Sequence, residues 1–155
     1  ALLGADRLFV LDVTGAWETG RQNVFAGGDE PDELRANIRG IADRTDRPHL
    51  RIVDADAMVH TLGAAGARDL RYFQEAILLE DDDQLVHVQN PAVVDDEMAA
   101  LYEDAATQVL TTELAEGGRQ HLTLRKAPGG RVGATALVEF VDEAPYVTVS
   151  APGSG

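Results

Sequence analysis

Residues 7–13, Arg-Leu-Phe-Val-Leu-Asp-Val, form a short and nearly continuous apolar run. That is the pattern of a strand buried on both faces. Thr14-Gly15 ends it, and the polar, Gly-bearing stretch 18–29 reads as a loop. Pro31 stands where a helix can begin, and Leu34, Ile38 and Ile41 then recur at spacings of four and three, one apolar helical face. Leu50–Asp54 is a second strand of the buried type. A helix over 64–80 carries Leu70, Phe73 and Ile77 on one stripe, and residues 85–88 make a third strand that Asn90-Pro91 ends. A short helix over 94–105 has Asp95, Asp96 and Glu97 in its first turn, where the helix dipole favours anions.

The pattern then changes. Residues 108–113, 120–126, 136–141 and 146–150 read as four strands with no helix between them, with turns at Glu116-Gly117-Gly118 and Pro128-Gly129-Gly130. The order is βαβαβα followed by an antiparallel ribbon. Alternating strands and helices predict an α/β fold with a largely parallel sheet and right-handed crossovers, with Asp12 and Asp54 at one sheet edge.

Composition narrows the function. Lys and Arg number 13 against 27 Asp and Glu in 155 residues, a net charge of −14. The length predicts one domain over 1–150 with a frayed tail at 151–155. The charge argues against binding a nucleic-acid backbone or an anionic membrane surface. With no Cys, thiolate catalysis and Cys-based metal sites are excluded. No apolar run approaches a membrane span, and residues 1–13 lack a signal-peptide pattern, so the expected location is cytoplasmic. Lys126 is the only Lys. An acidic, Lys-poor surface suits a cytoplasm at molar salt, a halophilic trait, and a GC-rich genome yields the same Arg preference.

Chemistry has few carriers. Asp54 ends a strand, where α/β ligands bind at the carboxyl edge of the sheet; Asp56 points to the same edge, and Asp12 fits the same description. Taken alone, strand-end capping is the favoured account of Asp54 and of Asp12. His49, His60, His87 and His121 lack the spacing of a helical metal pair, and Ser150 and Ser154 offer no nucleophile–base pattern. No G-x-x-x-x-G-K-[ST] loop is present, since Lys126 is followed by Ala127-Pro128. Alternation along 120–126 sets Leu122, Leu124 and Lys126 on one face. Arg125 and Lys126, adjacent at a strand end, form either an anion finger or a solvated hairpin end.

The order of these landmarks resembles the RecA/KaiC-like ATPase family, in its small archaeal forms, over most of 7–150. Leu50–Asp54 with Ala55-Asp56-Ala57-Met58 looks like a Walker B strand and its exit. The helix through Leu70-Arg71-Tyr72-Phe73 and the strand 85–88 look like the next helix and strand of that core. The Gly-turned hairpin 117–126 looks like the one that ends in Arg-Lys. The resemblance implies a RecA-like sheet ending in antiparallel strands, with Asp54 and Asp56 as Mg-linked acids. It also implies that Arg125 and Lys126 reach a nucleotide held by a neighbouring subunit. The family's P-loop half is missing, so ATP and Mg are implied only if a P-loop lies upstream.

Three readings follow. The first is a non-catalytic, ATPase-derived domain for regulation or assembly, with self-association or a partner protein. The second is the C-terminal part of an active ATPase. The third is a small metal- or anion-binding α/β enzyme using Asp12, Asp54 and Asp56.

Overall fold

A computed structural model describes residues 8–17, 23–28, 30–44, 46–115, 118–143 and 146–151. Arg7, residues 18–22, Asp29, the Glu116-Gly117 half of one predicted turn and the tail beyond Ala151 lie outside them. The chain divides into two compact units, Ala1–Ala99 and Ala100–Gly155.

In the first unit, β1 (Val10–Asp12) pairs in parallel with β2 (Val24–Ala26). The second strand rises from within the predicted loop: Asn23, at a left-handed φ of 66°, turns the chain so that its carbonyl accepts the Val10 amide. Helix α1 (Pro31–Ala42) starts on Pro31, whose missing N–H is no loss in a first turn, and buries Leu34. Strand β3 (Leu50–Asp54) pairs in parallel with β4 (Gln84–Val88). Between them runs α2 (Ala55–Phe73), broken at Gly63 and continued by a π-helical turn over Gln74–Leu78. The predicted helix 64–80 is therefore the second half of a longer element that Asp54 starts. Val24, Leu34, Ala55, Met58, Ala67, Leu70, Val94 and Met98 are buried and make the core. Arg35 and Arg39 of α1 lie over the Phe73 ring of α2, 5.9 and 5.7 Å from its centroid. Helix α3 (Asp96–Ala105) is capped by Asp95, whose carboxylate accepts the Met98 amide at 2.8 Å.

The second unit holds a four-stranded antiparallel sheet in the order β5 (Val109–Leu114), β6 (Gln120–Lys126), β7 (Thr135–Phe140), β8 (Val147–Ser150).

This architecture overturns the predicted largely parallel RecA-like sheet. Among the described residues the parallel strands form two separate two-stranded ladders, and the largest sheet is antiparallel. Asp12 and Asp54 consequently end strands of different ladders, not of one sheet edge. The reason is that an apolar run reports burial but carries no record of its hydrogen-bonded neighbour: β1 takes β2, a segment too short to show a period. Among the described residues no helix is long and apolar enough to cross a membrane.

Candidate binding surface

The acids singled out from the sequence are occupied by the backbone. Asp54 is the N-cap of α2, its Oδ1 accepting the Ala57 amide at 3.0 Å. Asp56, in the first turn of α2, accepts the Asn90 amide on both oxygens at 3.1 and 3.0 Å, tying the exit of β4 to the helix. Asp12 is buried and organises the turn after β1. It accepts the amides of Thr14, Gly15 and Trp17 and the Thr14 hydroxyl at 2.9–3.1 Å. The Trp17 amide, working against burial and joined by Thr14, holds the Asp12 carboxyl below its usual range. Asp54 and Asp56 stay together at the exit of β3, whereas Asp12 belongs to the other ladder.

The two adjacent cations have partners within their own unit. Lys126 Nζ donates to the carbonyls of Glu103 and Asp104 at 3.0 and 2.9 Å, in the last turn of α3, where the dipole favours a cation. Arg125 Nη1 meets Glu103 Oε1 at 3.3 Å. The strand alternation also fails here. A register shift between Val109 and Leu110 sets Lys126 opposite Val109, while Leu124 faces Leu110, so Lys126 leaves the face of Leu122 and Leu124.

A polar cluster that the sequence did not reveal lies at the amino ends of β3 and β4. The Asp83 side chain, only 3 % exposed, accepts the His49 amide at 2.7 Å and Arg51 Nη2 at 2.8 Å. Burial alone would raise its pKa, but the His49 and Glu80 amides and the Arg51 guanidinium outweigh it, and the carboxyl sits lower than usual. Arg51 also donates to the Leu78 carbonyl at 2.8 Å, so the cluster ties the end of the π-helical turn to the start of the ladder. Its only sequence signal was one Asp among three, Asp81-Asp82-Asp83. Nδ1 of His49 lies 3.6 Å from Asp83, and His87 faces the covered side of β4. Among the described residues no three His, Asp or Glu side chains converge as a metal site.

What the sequence reading missed is bare apolar surface. Both strands of the β3–β4 ladder alternate between exposed and half-buried positions. Leu50, Ile52, Val86 and Val88 share the exposed side, with Ile52 67 % and Val88 54 % accessible. A parallel sheet is ordinarily covered on both faces. Acids flank this strip at each end: exposed Asp54 sits opposite Val88, and exposed Glu80, Asp81 and Asp82 lead into β4.

No protein-family model matches the chain, and no curated protein matches it. Its fold is similar to that of an uncharacterized protein from Pyrococcus horikoshii. That protein, PH0321, was crystallised in complex with an unknown peptide; it is 12 % identical, with a TM-score of 0.65, over 98 % of this chain and 69 % of that one. At this identity the likeness is one of fold.

Proposed function

We propose that the protein is a non-catalytic interaction module for regulation or assembly, and that the bare face of β3–β4 takes an extended polypeptide segment of a partner protein. The observation that carries this reading is the uncovered apolar strip Leu50, Ile52, Val86 and Val88 on a parallel ladder. Water on that strip is costly, at about 25 cal/mol per Å² of apolar surface. Charge selects the partner. The Ala1–Ala99 unit carries 9 Lys and Arg against 20 Asp and Glu, a net −11, with acids at both ends of the strip. The segment is therefore apolar at its centre and basic at its flanks. The peptide bound by PH0321, a protein of similar fold, supports a polypeptide ligand. With Asp12, Asp54 and Asp56 each engaged by backbone amides, these carboxylates are better suited to shaping the surface than to chemistry.

A labelled synthetic peptide with a Val/Leu centre and Lys at both ends tests this by fluorescence anisotropy. It is compared with its Glu-flanked counterpart and with a scrambled Lys peptide. The Lys-flanked peptide is expected to bind best, to weaken as salt rises, and to lose at least about tenfold in affinity on Ile52→Ser, roughly 1.4 kcal/mol. Equal binding of the scrambled peptide, or an unchanged affinity in Ile52→Ser, overturns the reading.

A further inference from the structure

The second unit carries a different surface. In β5–β8 the register assigns every residue to one of two faces. Leu110, Thr112 and Leu114 of β5 share a face with Gln120, Leu122 and Leu124 of β6. Ala136, Val138 and Phe140 of β7 and Val147 and Val149 of β8 continue it. This face holds no ionisable side chain. Glu113, His121 and Glu139 all stand on the other one, and the register shift that displaces Lys126 keeps the only nearby Lys off it. Yet the uncharged face is open to solvent: Leu114 is 77 % and Phe140 75 % exposed, and Leu110, Val147 and Val149 are exposed with them. None of the residues of the four strands is buried. A sheet needs a second layer to bury its apolar face, and among the described residues none covers this one.

We infer that the missing layer is the same face of a second copy of this chain, giving a two-fold, face-to-face sheet sandwich. Three observations select this occupant. A charge-free apolar face is complementary to itself, as an isologous contact requires. It carries no acid to recruit the basic segment suggested for β3–β4, so the two surfaces are independent. And charge is lowest here: the Ala100–Gly155 unit has 4 Lys and Arg against 7 Asp and Glu, a net −3, whereas the first unit holds −11 of the total −14. Two copies meeting through the second unit therefore bring the least like charge together.

The area sets the strength. Four strands of 6, 7, 6 and 4 residues, about 4.8 Å apart with a rise of about 3.3 Å per residue, make a face on the order of 400 Å². That is below the roughly 800 Å² per partner of a standard interface. The dimer is weak at low salt and tightens in molar potassium chloride, where the screening length falls to about 3 Å and the repulsion between two −14 chains is suppressed.

Sedimentation equilibrium of the full chain, from roughly 10 µM to 1 mM and in low and molar potassium chloride, reads this directly. The expected result is a monomer–dimer equilibrium shifted toward dimer by salt. Phe140→Glu with Leu114→Glu returns the chain to monomer, Val149→Thr weakens the dimer with little change of shape or strand propensity, and Glu139→Gln on the opposite face leaves it intact. Circular dichroism verifies that the variants are folded. A chain monomeric throughout overturns the inference. So does a dimer that survives both the double variant and Val149→Thr, which would place the contact at the free edges of β5 or β8. Ile52→Ser is expected to leave the dimer unchanged, so failure of the peptide reading and failure of this one are separable.

Discussion

At the scale of the residue, the polar groups of this protein mostly terminate and tie elements. Asp54, Asp56, Asp83 and Asp95 each close an orphan amide at a strand or helix end. His87 is different. Burial against the helical layer lowers its pKa, with Glu75 opposing and Arg71 adding to the shift. The folded chain therefore holds His87 neutral at pH values where the unfolded chain, near the ordinary 6.5, has begun to bind a proton. A folded pKa below the unfolded one means that stability is full above pH 6.5 and is lost as pH falls through 6.5 toward the folded value. Thermal melts between pH 7.5 and 5.5 are expected to show a falling melting temperature. Replacing His87 by Gln removes most of that slope; an equal slope in the variant would assign it to carboxylates instead.

At the scale of the element, the break in α2 is the clearest device. Gly63 sits at φ 70° and ψ 170°, a conformation open essentially to glycine alone, and nothing lies within 4 Å of where a Cβ would point. Backbone strain alone thus governs substitution there. Gly63→Ala is expected to cost about 1–3 kcal/mol in urea unfolding. A neutral or stabilising result would mean that the two halves of α2 straighten into one helix when the glycine is gone. The break explains why periodicity located only residues 64–80 of this helix. The first half was legible in principle, since an Asp followed by Ala-Asp-Ala is a helix start, but Asp54 also satisfies the pattern of a ligand-binding acid at a strand end. The β2 strand left no comparable signal: three residues between Asn23 and Gly27 are too few to show a period of two.

At the scale of the whole molecule, charge dominates. A net −14 on 155 residues repels itself, and most of it lies in the Ala1–Ala99 unit. Screening at about 3 Å in 1 M salt removes most of that repulsion. The melting temperature is therefore expected to rise from dilute to molar potassium chloride, measured at low protein concentration so that association does not contribute. An unchanged or lower value would show that acidity has a role other than adaptation to salt.

The limits of β3 and β6, the start of α1 on Pro31 and the change from mixed to all-β order near residue 108 are local consequences of spacing, caps and turns, and were legible in the chain by itself. Each depends on geometry within a few residues: a period of two or of 3.6, a missing N–H, a glycine in a turn. Strand partners and covered faces are different in kind. Leu50-Arg51-Ile52-Val53 reads the same whether a second layer lies on Ile52 or water does, and Asp54 reads the same as a cap or as a ligand. Only the tertiary structure decided that β3 joins β4 apart from β1, that Arg51 is held by Asp83, and that two apolar sheet faces are left open. Pairing and cover are contacts between residues far apart in the chain, and a local pattern holds no record of them.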